Sequence, residues 1–132
     1  YLVFTLSNYG QFSIWHKEAD LYCLNLQTNH LKPLAAWNSD DTESYHSWSS
    51  NGRWMVFSSR RDDGLYTRPY IGYMDAEGNP KKAFMLPQEA PKDYYTELLY
   101  SYNIPELIIG EVDLEPREVG DWVWSDDVIK VK

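Results

Sequence analysis

Apolar side chains occur through the first two thirds of the chain in short runs, separated by polar stretches that contain Gly, Pro, Asn or Asp. Short apolar runs rich in β-branched and aromatic residues predict strands. Pro33 and Pro87 cannot donate a backbone hydrogen bond to a sheet, so we expect the strands that contain them at sheet edges. The predicted strands cover residues 1–6, 20–26, 31–37, 42–48, 54–59, 70–75 and 82–87.

Asn51 and Gly52 separate two of these strands. Both residue types tolerate the positive φ that a type I′ turn requires at its two central positions, so they predict a tight hairpin. The strand that follows is apolar on both alternating faces, which indicates a sheet covered on both sides. We expect Trp48 and Trp54 to fill the space between layers. Gly72, inside a predicted strand, indicates a close approach of backbone or of a large ring.

The pattern repeats with a period of ~50 residues, which is typical of solenoids and propellers. Residues 54–59 correspond to residues 1–6, and residues 70–75 correspond to residues 20–25. The sequence therefore predicts an all-β fold whose first unit, residues 1–92, contains two four-stranded antiparallel meanders of the β-propeller-blade type. The two predicted blades cover residues 1–41 and 42–92.

Residues 93–132 have a different pattern and form a predicted C-terminal extension that packs against the blades. We expect a short helix over residues 94–102, capped by Asp93, and strands over residues 107–109 and 119–131. A propeller needs at least about four blades, so two form an incomplete one. The missing blades are expected from the rest of a longer protein, of which this chain would be the C-terminal part, or from self-association.

Four stretches of the second repeat resemble the TolB-like β-propeller repeat, a relative of the WD-type repeats: Trp48-Ser49-Ser50-Asn51-Gly52-Arg53, Val56-Phe57-Ser58-Ser59, Arg61-Asp62-Asp63-Gly64 and Tyr73-Met74-Asp75-Ala76-Glu77-Gly78. The resemblance covers about residues 42–86 well and residues 1–37 loosely, and Ser50-Asn51 stands where the repeat usually has Pro-Asp. It implies a periplasmic or otherwise exported protein of the bacterial cell envelope that binds protein or peptide partners.

The formal charge is −8, from 20 acidic and 12 basic residues. A chain of this charge without a concentrated basic surface is a poor ligand for nucleic acid or for an anionic membrane surface. No apolar run approaches the ~18 residues of a membrane-spanning helix. The single cysteine, Cys23, allows no internal disulfide, and its place in an apolar strand predicts a buried thiol.

No catalytic or cofactor-binding motif is present in the sequence, so we predict a non-enzymatic chain without a cofactor. His16, His30 and His46 lack the spacing of a metal site. The acids at 40–41 and 62–63 are interpreted as solvated loop residues rather than calcium ligands. The alternating acids of residues 111–118 indicate one wet face rather than a pair of catalytic carboxylates.

Aromatic and Arg side chains in two connections between strands form the candidate partner-binding surface, because such residues dominate binding hot spots. Packing in the core is the competing role for most of them. The leading function is a non-catalytic protein- or peptide-binding or scaffolding module. The alternatives are an accessory propeller domain of a peptidase and a carbohydrate-binding propeller that stacks sugars on its rings. The candidate residues are Tyr9, Phe12, Trp15, Tyr66, Arg68 and Tyr70.

Overall fold

A computed structural model describes residues 1–125. These residues form seven strands, a short 3-10 turn and two short helices. The elements are β1 (Leu2–Leu6), a 3-10 turn (Ser13–Trp15), β2 (Asp20–Asn25), β3 (His30–Pro33), β4 (Glu43–Trp48), β5 (Trp54–Ser59), β6 (Arg68–Tyr73), β7 (Phe84–Met85), α1 (Pro91–Glu97) and α2 (Pro116–Val123).

The strands form two antiparallel sheets. The first has the order β1-β2-β3, with Val3 opposite Cys23, and the second has the order β4-β5-β6-β7, with Phe57 opposite Tyr70. The all-β prediction is confirmed over the described residues. The prediction of four strands in each meander is wrong for the first sheet, which has three. Pro33 does lie in an edge strand, β3, as expected of a residue without an N–H donor.

One apolar core joins the two sheets, and Trp37 lies within it. The indole is fully buried, stacks on Phe57 with ring centroids 5.9 Å apart, and donates its Nε1–H to the carbonyl of Lys81 at 2.8 Å. A Cβ on Gly72 would lie 2.3 Å from Cε2 of Trp37. The prediction that Gly72 allows a large ring to approach is therefore confirmed, and the ring comes from the segment that follows β3.

The chain turns where the sequence predicted the end of a strand, at residues 34–37. The amide of Trp37 donates to the carbonyl of Leu34 at 2.7 Å, and both side chains are fully buried. Residues three apart would point to opposite faces of a strand, whereas a turn brings both to the same side. Burial of both Leu34 and Trp37 in one core therefore requires the turn. The predicted edge strand over residues 82–87 is likewise reduced to Phe84–Met85.

The hairpin between β4 and β5 has a four-residue loop instead of the predicted type I′ turn. Ser49 and Trp54 pair at its base through a hydrogen bond of 2.8 Å from the Ser49 amide. Gly52 has a φ of +63°, while Asn51 is not among the residues with positive φ. Asn51 instead accepts hydrogen bonds through its side chain from the Ser49 hydroxyl and the Arg53 amide. Local side-chain hydrogen bonding thus favours the longer loop.

The two tryptophans of this hairpin differ from each other. Trp48 is half-buried and packs against the core, in line with its predicted role. Trp54 remains 39% exposed and rests on Tyr73, with ring centroids 5.0 Å apart. The prediction that Trp54 fills the space between layers is therefore wrong for the described part of the chain.

The C-terminal region contains one helix, α1, that overlaps the helix predicted over residues 94–102, and a second helix, α2, where a strand was predicted. α1 begins at Pro91, whose fixed φ suits the first helical position, so Asp93 lies in the first turn and Ala90 is the N-cap residue. Residues 107–109 form no strand. Residues 119–123 belong to α2, whose apolar residues have the i, i+3, i+4 spacing of a helix. Residues 124–125 form no strand, and residues 126–131 of the predicted strand lie outside the described part of the chain.

Part of the extension packs on the second sheet, as predicted. The amide of Tyr102 donates to the carbonyl of Thr67 at 3.0 Å, and the Ser58 hydroxyl donates to the carbonyl of Tyr102 at 2.6 Å. Neither α1 nor α2 has the length and apolar character needed to cross a bilayer, and no other α-helix occurs in residues 1–125.

Candidate functional site

The connection between β1 and β2 is a turn whose backbone is held by buried contacts. Ile14 inserts its side chain into the protein and is 8% exposed. The Thr42 hydroxyl, which is also buried, donates to the carbonyl of Ser13 at 2.9 Å. The amide of Trp15 donates to the carbonyl of Phe12 at 3.0 Å and closes the turn. Contacts on its buried side therefore fix the conformation of this turn.

Three aromatic side chains project from this fixed turn into solvent. Tyr9, Phe12 and Trp15 are 72%, 68% and 73% exposed, and we call them the aromatic platform. Phe12 has a φ of 58° and a ψ of 64°, the left-handed conformation that costs a residue with a Cβ about 1–2 kcal/mol. A bulky side chain in this region of backbone space is rare and often marks a functional site.

Arg60, the residue that follows β5, connects this turn to the loop between β5 and β6. Its Nη1 donates to the carbonyl of Ile14 at 3.1 Å, and its Nη2 donates to the carbonyl of Gly64. The guanidinium also lies 5.6 Å from the centroid of the Trp15 ring, within the range of a cation–π contact. The two connections chosen from the sequence are thus joined by a residue that the sequence reasoning did not select.

Each of the two residues that contact platform rings, His16 and Arg60, also lies near a carboxylate. Near Tyr9, the His16 ring lies 4.7 Å away edge-on, and its Nδ1 is 3.6 Å from a carboxylate oxygen of Glu18. Near Trp15, the Nε of Arg60 is 4.0 Å from Asp41. A cleft of about 360 Å³ is lined by residues that follow His16 and by two residues before β4: Lys17, Glu18, Asp20, Ser39 and Asp40.

Arg68, which was expected in the second connection, is the first residue of β6 and lies inside the protein, where it is 2% exposed. Its Nη2 donates to the carbonyls of Tyr95 at 2.8 Å and Leu98 at 3.2 Å, and its Nη1 donates to the carbonyl of Tyr100 at 3.0 Å. These carbonyls belong to α1 and to the segment after it. Arg68 therefore fixes the extension to β6, and its charged group is not available at the surface.

The ring of Tyr66 covers one side of the Arg68 guanidinium, at 5.2 Å, and the ring of Tyr95 lies 5.7 Å from the same group. Asp63 completes the arrangement with a carboxylate oxygen 3.4 Å from Nη2. Tyr66 is half-buried here. Of the three candidates predicted for the second connection, Tyr66, Arg68 and Tyr70, only Tyr66 keeps part of its surface open to a ligand.

A groove of about 550 Å³ lies between this loop and α1. Its size is within the range of small-molecule sites. Asp62, Tyr66, Arg68, Met85, Lys92 and Tyr95 contribute to its lining.

Tyr70 belongs to a buried polar network beneath the second connection. Its hydroxyl donates to Asp62 at 3.0 Å, and the Arg61 guanidinium lies 4.3 Å from the centroid of its ring. Burial, followed by the nearby Asp62 charge, raises the pKa of the Tyr70 phenol above its ordinary value. Tyr70 is 7% exposed, so its contacts are structural.

Glu43, at the start of β4, is the fully buried acid of the same network. One carboxylate oxygen accepts hydrogen bonds from the hydroxyls of Ser39 and Ser59, both at 2.7 Å, and from Nη2 of Arg61 at 3.0 Å. Burial raises the pKa of the Glu43 carboxyl, although these three partners act to lower it. A buried acid with all its partners in place orders the loops around it.

Two further titratable side chains, Cys23 and His46, lie in the interior. Burial raises the pKa of the Cys23 thiol, and the prediction of a buried structural cysteine is confirmed. His46 contacts the carbonyl of Val3 through Nε2 at 2.9 Å, and burial lowers its pKa. Within residues 1–125, no three His, Cys, Asp or Glu side chains lie close enough together to hold a metal ion.

Comparison of the chain with protein-family models, with curated proteins and with solved structures found no match. The assignment of a role therefore depends on the geometry described above. Two residues, Arg60 and Arg68, organise this geometry, and the sequence indicated only one of them as a candidate. Arg68 was selected for its chemistry but is buried, and Arg60 was not selected because its partner Ile14 is 46 positions away.

Proposed function

We propose that this chain is a non-catalytic module that binds a protein or peptide partner through the aromatic platform. The observation that carries the proposal is Phe12, a large apolar side chain held 68% exposed on a backbone in the left-handed conformation. Exposure forgoes the free energy that burial of a ring provides, and the backbone conformation adds a further cost. Both costs would be offset in a complex that buries the ring.

The rigidity of the turn supports the same proposal. Side chains on a pre-organised backbone lose less conformational entropy on binding than side chains on a flexible loop. The buried side of this turn is held by three residues, Ile14, Thr42 and Arg60. Aromatic anchors surrounded by polar groups are also the composition of binding hot spots.

We further propose that the two sheets are blades of a TolB-like propeller of the cell envelope, in a periplasmic or otherwise exported protein. The support is the resemblance of the second repeat and an apolar row on the outer face of the first sheet, where Leu2, Leu24 and Leu31 are paired across three strands. Leu2 and Leu31 are 49% and 46% exposed. Such a row is the kind of surface that a neighbouring blade would cover.

Light scattering over a range of protein concentrations tests this architecture. We expect the chain to self-associate, or to require the rest of a longer protein, because its outer sheet face is uncovered. A monomer that persists at high concentration and unfolds in one cooperative transition would show that the two sheets suffice.

Selection from a random peptide display library tests the binding function. We expect peptides whose binding is lost in Trp15→Ala and in Phe12→Gly and is retained in Trp122→Ala. Trp122 is the matched control because it is 75% exposed but lies on α2. The proposal fails if no selected peptide depends on the platform, or if the Trp122 variant loses binding equally.

A second candidate function is saccharide binding in the groove beside α1. The observation that favours it is the combination of a partly open ring, Tyr66, with the polar groups of Asp62 and Lys92 in a groove of about 550 Å³. Protein sites for sugars combine ring stacking with such hydrogen-bonding groups. A glycan array tests it: binding should be lost in Tyr66→Ala and kept in Phe12→Gly, and an array without any bound glycan contradicts it.

A further inference from the structure

We propose that His46 makes the interface between the two sheets sensitive to acid, because protonation of its ring favours separation of the first sheet from the second. This inference goes beyond the binding function and does not depend on it. Its basis is a hydrogen bond that runs from one sheet to the other through an imidazole whose second nitrogen is buried.

Strand β4 carries contacts that join the second sheet to the first part of the chain. His46 provides the contact to β1, with its Nε2 2.9 Å from the carbonyl oxygen of Val3. Immediately before the strand, the Thr42 hydroxyl donates to the carbonyl of Ser13 at 2.9 Å. Opening along β4 therefore affects both the first sheet and the turn that carries the aromatic platform.

The hydrogen bond to Val3 fixes the protonation state of the His46 ring. A carbonyl oxygen only accepts, so Nε2 carries the hydrogen and Nδ1 carries the lone pair. Nδ1 is shielded from solvent, and residues 1–125 provide no hydrogen-bond partner for it. Protonation would place a donor and a positive charge at this buried atom, which is costly without a partner. The closed interface therefore requires the neutral ring.

The strands that pack around His46 are β1, β2 and β5, and they supply no counter-ion for a charged ring. The residue opposite His46 in β5 is Phe57, which is fully buried. The described residues of β1 and β5 include no ionisable side chain. β2 contributes the Cys23 thiol to the core, while Asp20 and Tyr22 alternate to the outer face of the first sheet. A proton on Nδ1 would therefore enter apolar surroundings.

Two charged side chains, Glu43 and Arg61, lie on the core side of the second sheet. They pair with each other at 3.0 Å, and the Arg61 guanidinium lies 5.9 Å from the centroid of the Phe57 ring. The Glu43 carboxylate is already engaged with Arg61, and the positive charge of Arg61 opposes a second cation nearby. A charged His46 ring gains no partner from this pair.

The direction of the pH dependence follows from burial, which lowers the pKa of His46 below its ordinary value of 6.5. The stabilising contribution of the neutral ring is fully present above pH 6.5 and is lost as pH falls from 6.5 to the lower folded-state value. One proton taken up on opening shifts the opening equilibrium by at most about tenfold per pH unit. The Glu43 carboxyl acts in the opposite sense, because its pKa is raised.

Hydrogen exchange measured by NMR tests the inference at two protons that cross the interface. The Glu43 amide donates to the carbonyl of Ala19, and the Trp37 indole N–H donates to the carbonyl of Lys81, both at 2.8 Å. We expect the protection factors of both protons to fall by up to about tenfold per pH unit below pH 6.5. The amide of Met74, which bonds within the second sheet, should keep its protection.

The decisive variant is His46→Gln, whose side-chain amide can still donate to the Val3 carbonyl but does not titrate. The fall in protection should be absent from it. His30→Gln, at an exposed position of β3, is the matched control and should behave as the parent protein. The inference is overturned if the parent protein and His46→Gln show the same pH dependence, or if the Met74 amide loses protection equally.

Titration of the His46 ring in the parent protein decides the question if His46→Gln does not fold. The ring signals in the NMR spectrum should titrate with a midpoint below pH 6.5, and the two protection factors should stop falling at the pH of that midpoint. A midpoint at or above 6.5 shows that the folded protein accepts the charged ring, and overturns the inference.

Discussion

The connections after β1 and after β5 occupy corresponding places in the two sheets, yet they use their aromatic residues in opposite ways. The first exposes Tyr9, Phe12 and Trp15 on a turn fixed by buried backbone contacts. The second leads into the buried start of β6, where Arg68 and Tyr70 are 2% and 7% exposed. The residue types are similar in both, so residue type alone does not decide which connection can bind a partner.

The difference arises from the C-terminal extension. α1 and the segment after it cover the second connection and supply the carbonyls that Arg68 requires. No described element covers the first connection in this way, since its three rings remain open to solvent. The second connection therefore lies at an internal joint between the second sheet and the extension, whereas the three rings of the first connection are exposed to solvent.

The largest expected effect on stability is that of Arg68→Ala, which should release the C-terminal extension from β6. The variant leaves the carbonyls of Tyr95, Leu98 and Tyr100 without their donor, and truncation of one member of a buried charged network typically costs about 3–5 kcal/mol. Urea unfolding gives the free energy, and hydrogen exchange over residues 91–103 shows whether α1 has detached. Arg117→Ala, on the exposed surface of α2, is the control and should change little.

The free energy of unfolding should also depend on pH, because of the buried Glu43 carboxyl in the network beneath the second connection. Its folded-state pKa is raised by burial, so its favourable contribution is fully present below the ordinary value of 4.5 and is lost as pH rises through the higher folded-state value. Unfolding free energies measured across this window should fall relative to those of Glu43→Gln, by at most about 1.4 kcal/mol per pH unit. A constant difference between the two proteins would contradict the raised pKa. Glu89→Gln, at an exposed position, should run parallel to the parent protein.

A smaller loss is expected for Tyr70→Phe, which removes only the hydrogen bond to Asp62. The net contribution of such a bond is about 1 kcal/mol. Tyr73→Phe removes a hydroxyl from a half-buried ring on the same strand, for which no hydrogen bond is found within residues 1–125, and should cost less. Equal losses in the two variants would show that the hydrogen bond between Tyr70 and Asp62 does not contribute to stability in the expected way.

Local pattern was sufficient for the sheets but not for the joint between the extension and the second sheet. The strands followed from short apolar runs, and Gly72 correctly indicated a ring, although its identity as Trp37 depends on how the two sheets meet. The apolar spacing of residues 119–123 is helical, although their high content of Val and Trp is typical of strands. That content competes with periodicity in short segments, and Pro116 at the first helical position was the signal that should have decided between them.

No sequence feature of this kind indicated that Arg68 would be buried. Its partners are backbone carbonyls about 30 residues later, and a carbonyl is present in every residue, so the sequence does not distinguish the ones that will accept. The exposure of the aromatic platform was equally hidden. It depends on the absence of a covering element over the first connection in the described residues, which becomes apparent only once the position of α1 is known.

The smallest expected effect on stability is that of Phe12→Gly, and its small size is what distinguishes the two regions. Glycine adopts the left-handed conformation at φ 58° without the penalty that phenylalanine pays, but it makes the unfolded chain more flexible. The two terms are each about 1 kcal/mol and nearly cancel, so the melting temperature should change by a few degrees at most. Phe12→Ala keeps the penalty, removes the same ring and should be the less stable of the two. If Phe12→Gly instead loses stability on the scale of Arg68→Ala, the first connection is a packed joint like the second, and the assignment of a binding surface to it is wrong.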